Sequence, residues 1–379
     1  MMCAADGEIH PVKELQFSWR PTLSANVLST STRPSYSSFH AEYAYCLLTY
    51  AFALSNFART IVFSLGDFEY DRTISQLDRE NKDTQIKHAT AHLTRASSIF
   101  SYVSGSVLPE LEKELGSISK KPPDLSREVV AALSKLAHAD AQNLAIRKLL
   151  SKPAFESNVA PGPPLPKSHP SPGFIAKLHI ECASQYSGAR ILAKTPSASS
   201  ELSLEVSPDL RHYLSDEAAL HMALGKKWLA IDAGEKGGVD KAGDAVGFMT
   251  WARKELHELK DGGKSSAVSG ITAGEKEKKE RSLRKEKVAR ELESTGIWLK
   301  HYTKINDTLH FQPVPTQSDL QSRIPTGISA ISISPYTPPL PAFGPGSTNY
   351  THQQLQSVSS QSKPNEMDEK SYAGAGDYF

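Results

Sequence analysis

The stretch DLSREVVAALSKLAHADAQNLAIRKLL, residues 124–150, decides the fold class. Pro122 and Pro123 mark a break in front of it, because proline lacks the N–H that a continuing helix needs. Asp124 and Ser126 are both residue types that cap a helix, and either can start this one. The apolar-periodic run that follows reads as a helix reaching Leu150. On its N-terminal side lie two more apolar segments, Ala41–Leu65 and Ile86–Val103. In the second, Ala89, Leu93, Ala96, Ile99, Phe100 and Val103 recur at helical spacing. The first is uncharged from Tyr43 to Ala58, but Ser55, Asn56 and Thr60 interrupt it, so a buried core helix is expected rather than a membrane span.

On the C-terminal side, residues 152–173 hold Pro153, Pro161, Pro163, Pro164, Pro166, Pro170 and Pro172. That density predicts an exposed insert with no helix in it. The helical pattern resumes with FIAKLHIECASQYSGARILAK, residues 174–194. Two further helices are expected from Ser215 to Asp232 and from Lys241 to His257, parted by Gly234, Gly237 and Gly238. Small residues with a bulky aromatic on each arm give this pair a tetratricopeptide-like pattern, although spacing alone fits any antiparallel helix pair. Residues 275–293, EKEKKERSLRKEKVARELE, mix acids and bases at i,i+4 spacing and predict a solvated helix. Its thin stripe of Leu283, Val288 and Leu292 must lean on a neighbour, and Trp298, Leu299, Tyr302 and Ile305 return the chain to the core.

No strand-rich region and no βα alternation is present, so the fold class is all-α. A Ser/Thr-rich arm is expected over residues 1–39, a helical body over 40–315, and a disordered Pro/Ser/Gln-rich tail over 316–379. Within that tail, SPYTPPLPAFGPG (334–346) favours an extended polyproline conformation.

Charge and motifs narrow the function. Across 379 residues, 43 Lys and Arg face 42 Asp and Glu, a balance unlike that of a nucleic-acid binder. Three cysteines, Cys3, Cys46 and Cys182, make no disulfide framework and no CxxC metal pair. No phosphate-binding loop, dinucleotide fingerprint, zincin or nucleophile-elbow motif occurs. His88 and His92 stand four apart on a helix without a nearby third ligand, and Cys182 stands three from His179 among apolar neighbours. Neither pattern demands a metal or an activated thiol. No cofactor is expected, and composition favours a binding or scaffold protein over an enzyme.

Several segments together resemble the Bro-type domain family, which includes ALIX and fungal pH-signalling adaptors. They are DLSREVVAALSKLAHADAQNLAIRKLL (124–150), HLTRASSIFSYVSG (92–105), FIAKLHIECASQYSGA (174–189), the pair from Leu220 to Leu256, and KINDTLHFQPVP (304–315). They occur in the family's order. The resemblance implies a boomerang-shaped helical solenoid that acts as a non-catalytic adaptor. It implies a hydrophobic groove that accepts the C-terminal helix of an ESCRT-III filament subunit, with Phe174 and Leu178 at groove positions. Ala145 falls at a third position, where relatives have a large aromatic, and adjacent Ile146 is expected to compensate. It further implies partners among pH-signalling components and a cytoplasmic protein recruited to cortical plasma-membrane sites or endosomes through those partners. A general endosomal sorting factor of the same fold is the alternative.

Overall fold

The computed structural model describes residues 2–5, 8–11, 15–24, 33–116, 121–159, 162–194, 206–262 and 275–339. Its long helices are α1 (Phe39–Leu65), α2 (Gln76–Tyr102), α4 (Arg127–Val159), α5 (Pro172–Lys194), α6 (Pro208–Lys236), α7 (Ala242–Gly262) and α8 (Glu275–Ile305). A short α3 (Leu108–Leu115) follows α2, and α9 (Gln317–Gln321) follows α8. Long helices pack on their neighbours in chain order: α1 on α2, α2 on α4, α4 on α5, α5 on α6, α6 on α7 and α7 on α8. This nearest-neighbour stacking is solenoid packing, in which each layer is stabilised by the layers beside it.

Local sequence explains the helix ends. The Ser38 hydroxyl accepts from the His40 and Ala41 amides and starts α1. Ser126 starts α4: its carbonyl accepts from the Val130 amide, and its side chain lies near the Val129 amide. Asp124 does other work. It is buried, and its carboxylate accepts from the Thr22 amide at 2.8 Å, the Thr22 hydroxyl at 2.6 Å and the Leu23 amide at 3.3 Å.

Those bonds hold part of the Ser/Thr-rich arm. Strand β1 (Met2–Ala5) pairs with β2 (Glu8–Pro11), and β3 (Phe17–Ser18) pairs with β4 (Ser35–Tyr36), both antiparallel. Trp19 stacks on Tyr45 at 5.4 Å between ring centroids and donates its indole N–H to Glu42 at 2.5 Å. Aromatic burial and the Asp124 anchor therefore hold residues 15–24 and 33–38 against α1 and the start of α4.

The proline-dense insert is shorter than expected. Helix α4 continues through Pro153 to Val159. An interior proline costs about 3 kcal/mol, but this turn is held by its neighbours. Pro153 is buried, Ser151 donates to Asp83 at 3.1 Å, and the Arg79 guanidinium lies 6.0 Å from the centre of the Phe155 ring.

The body also runs past residue 315. Thr316 and Asp319 form a capping box on α9, and Leu320 is buried with Phe248 and Met249. An extended strap then crosses α4 and α5. The Ile328 amide donates to the Lys177 carbonyl at 3.1 Å. Gln142 donates to the carbonyls of Leu178 (2.8 Å) and Ile328 (3.2 Å) and accepts from the Ala330 amide at 3.2 Å. Gly327 permits this approach, since a Cβ there would stand 2.6 Å from the Glu181 nitrogen. Tyr336 ends the strap against Tyr102, with ring centroids 5.4 Å apart. The compact unit closes at Tyr336. Most of the polyproline segment, from Leu340 onward, lies outside the described residues.

The charged segment and the return to the core form one helix, α8. Val288 and Leu292 are buried with Leu220, Leu224 and Leu256, whereas Leu283 stays exposed. Its ions also find partners: Glu291 accepts from Lys227 at 2.7 Å, and Arg284 pairs with Asp216 at 3.1 Å.

Candidate functional site

The region of interest is the pair α4–α5. The two helices run antiparallel, and their contacts fix the register. Gln142 meets Leu178, the Cys182 thiol points at the Ala139 carbonyl at 3.8 Å, and Lys135 reaches Gln185. Continuing that register by one turn brings Phe174 level with Ile146 and Arg147, within a turn of Ala145 and Leu149.

The four anticipated groove residues divide. Phe174 is 39% exposed on the first turn of α5. Leu178, its i+4 partner, has no exposure at all, and Ile146 is 2% exposed. Both belong to one core cluster with Ile175, Cys182 and Tyr186. The reason is packing: α5 is flanked by α4 and α6 and crossed by the strap, so only a narrow stripe of it meets solvent. Leu178 and Ile146 are therefore corrected from groove surface to core, where each contributes about 1.5–3 kcal/mol by burial.

Ala145 is partly exposed, and the apolar side chain that presents surface on this turn is Leu149, 39% exposed. Ala145 and Leu149 are i,i+4 and share a helix face. Sequence reading placed the compensating bulk at Ile146; the i,i+4 spacing of Leu149 from Ala145 was the signal it did not use. Cations edge this face. Burial, and then the Lys87 ammonium beside it, lower the Lys148 ammonium from its ordinary value. Phe174 and Leu149 are exposed apolar side chains on this helix pair, and Lys148 adjoins Lys87 with Asp83 close by. Exposed apolar residues near cations suit a helix with an apolar stripe and acidic flanks.

Beside it lies a polar cluster that is only partly covered, with Asp140 half-buried and Tyr213 exposed. Asp140 accepts from the hydroxyls of Tyr186 (2.6 Å) and Tyr213 (3.0 Å). Burial pushes its carboxyl up to about 6, with the two tyrosine hydrogen bonds pulling the other way. His179 and His221 face each other Nδ1 to Nδ1 at 3.0 Å, so one must donate and the other accept. Burial first, and then Lys287 and Lys227, hold His179 down at about 3.

Burial and the nearby Asp140 push the Cys182 thiol up. A reactive cysteine shows the reverse shift and some access to solvent. His179 pairs with His221, so Cys182 and His179 make no nucleophile and base pair. His92 packs edge-on against Phe57 at 5.0 Å. Among the described residues, no group of three or more His, Cys, Asp or Glu side chains is placed to hold a metal ion.

Comparison with known proteins gives the family. Residues 5–364 match the BRO1-like domain. The chain is 35% identical over 406 residues to a protein named pH-response regulator protein palC from Cryptococcus neoformans var. neoformans serotype D (strain B-3501A), covering 97% of this chain and 82% of that protein. It is 25% identical over 367 residues to a protein of the same name from Emericella nidulans, covering 86% of this chain and 69% of that one. Among solved structures, a complex of the ALIX BRO1 domain with CHMP4C has the same fold, with a TM-score of 0.56 at 18% identity over 91% of this chain and 75% of that one. The stacked helices, the order of the matching segments and these similarities lead to one conclusion: this chain belongs to the BRO1-like domain family.

Proposed function

We propose that this chain is a non-catalytic adaptor of fungal alkaline-pH signal transduction. It binds the C-terminal helix of an ESCRT-III subunit on the α4–α5 face and helps recruit the complex that processes a transcription factor. The observation that carries this reading is the 35% identity, over 97% of the chain, to a protein named as a pH-response regulator. The partner class rests on the exposed Phe174 and Leu149 near Lys87 and Lys148, a surface that complements an acidic amphipathic helix. The protein is cytoplasmic on this reading, and its partners bring it to cortical plasma-membrane sites or endosomes.

The test is binding of a fluorescent ESCRT-III C-terminal helix peptide to wild type, Phe174→Asp and Leu149→Asp. Both side chains are exposed, so both variants should keep their helical circular dichroism and lose binding. Undiminished binding in both folded variants would remove the α4–α5 face as the site. Gene deletion separates the signalling role from general endosomal sorting. A signalling component is needed for growth at alkaline pH, while a general sorting factor shows cargo defects at every pH.

A further inference from the structure

Helix α1 carries a second ordered surface that the α4–α5 reading does not use. Phe39, Tyr43, Cys46, Tyr50, Ala53 and Phe57 are all exposed, and their spacing alternates four, three, four, three, four. That is the a/d spacing of a helix seam that packs another helix. Large and small residues alternate along it: Tyr43, Tyr50 and Phe57 fall one heptad apart, with Cys46 and Ala53 between them. Exposure of the rings runs from 36% at Tyr43 to 54% at Phe57. The opposite face of α1 carries Ala44, Leu48 and Ala51 into the core. The end helix of a stacked array normally turns a polar face outward, so an apolar seam here is anomalous.

The α2 side of the seam is cationic. The Arg95 guanidinium lies 5.7 Å from the centre of the Tyr50 ring, and His92 packs edge-on against Phe57. The acid of the seam, Glu42, lies at its N-terminal end, accepting from the Trp19 indole and lying 3.6 Å from the Cys46 sulfur. From Tyr43 to Leu65 and from Thr84 to Leu108 there is no Asp or Glu, and the charged residues are Arg59, Lys87 and Arg95.

We infer that the α1–α2 seam is a docking site for an acidic amphipathic α-helix of a partner protein, distinct from the α4–α5 face. Apolar side chains of the partner sit over Cys46 and Ala53, between the three rings, in the manner of knobs in holes. Carboxylates on its flank meet Arg95 and His92. A bilayer fits less well than a helix, because the Tyr50 and Phe57 rings are inlaid against α2 rather than projecting from a loop tip.

The test uses the full chain and two labelled synthetic helices, both with leucine at a and d. One has glutamate flanks and the other has lysine in their place. In fluorescence anisotropy the acidic helix should bind wild type and weaken with salt. It should bind roughly tenfold more weakly to Phe57→Ser and Tyr50→Ser. Arg95→Glu should erase the preference for the acidic helix, and every variant is compared in the Phe174→Asp background, which silences the α4–α5 face. Circular dichroism confirms that each variant is folded. Equal binding of both helices, or unchanged binding in both serine variants, would overturn the proposal. It would also be overturned by phosphatidylserine vesicles that bind wild type but not Phe57→Ser, or by self-association abolished by Phe57→Ser in sedimentation.

Discussion

Gln142 pins the C-terminal strap to the body, and Gln142→Leu measures how much that pin is worth. The side chain is buried and uses both ends of its amide, donating to Leu178 and Ile328 and accepting from Ala330. Three bonds at about 0.5–1.5 kcal/mol net each give roughly 2–4 kcal/mol. Leucine fills similar space, so the change removes polar contacts with little cavity. If the strap stays in place, the Ile328 carbonyl and Ala330 amide lose their partner, and the cost falls on global stability. If the strap lifts, those groups rehydrate; the global loss is smaller and the local loss complete. Urea unfolding followed with amide hydrogen exchange separates the two cases. The expected result is faster exchange at Ala330 and Ile328 with a lower urea midpoint. Wild-type protection at both amides together with an unchanged midpoint would refute the assigned role of Gln142.

Other outcomes follow from the same geometry. Leu178→Asp should abolish folding cooperativity, in contrast to Phe174→Asp, because it buries a carboxylate where the side chain has no exposure; differential scanning calorimetry shows it. Gly225→Ala should cost about 1–3 kcal/mol, since its Cβ would meet Ile180 Cγ1 at 2.9 Å where α5 and α6 cross. Asp124→Ala should release the segment around Thr22, read as faster exchange at the Thr22 and Leu23 amides and a loss of roughly 2–4 kcal/mol.

The buried histidines make stability fall on acidification. His179 is held down at about 3 and His221 is lowered as well, so the unfolded chain binds more protons below its histidine pKa of about 6.5. Their contribution is complete above that pH and is lost as the pH drops toward the folded value. Asp140, raised to about 6, acts oppositely: the folded state keeps its proton longer, so this group favours folding more as pH falls from 6. Asp140→Asn should therefore steepen the acid loss of stability by up to one proton, about 1.4 kcal/mol per pH unit, in denaturant titrations between neutral and acid pH.

Much of the fold was legible in the chain order of residues. The periods of 41–65, 86–103, 124–150 and 174–194 announced helices, and each became one. Helical period did not reveal which side of each helix faces a neighbour. Phe174 and Leu178 are both apolar and lie four apart, yet one meets solvent and the other the core, because α6 and the strap cover the second. Ile146 was expected to line the groove, and only the packing of this turn shows that it faces the core while Leu149 meets solvent. Pro153 predicted a helix end by its own chemistry, and burial against neighbours overrode it. Residues 316–336 looked like tail because their composition is polar and proline-rich. Their order comes from backbone bonds to Gln142 and Lys177 and from the half-buried ring of Tyr336 packed against Tyr102.

The sequence by itself determined that this protein is helical, that its proline blocks punctuate the helices, and which family it resembles, because period, breakers and short segments are local properties. The tertiary structure decided which apolar residues are surface, that both flanks are anchored by Asp124 and Gln142, and that α1 keeps an aromatic seam outward. Those are properties of which faces meet, and contact between residues more than a hundred positions apart leaves no period in the chain.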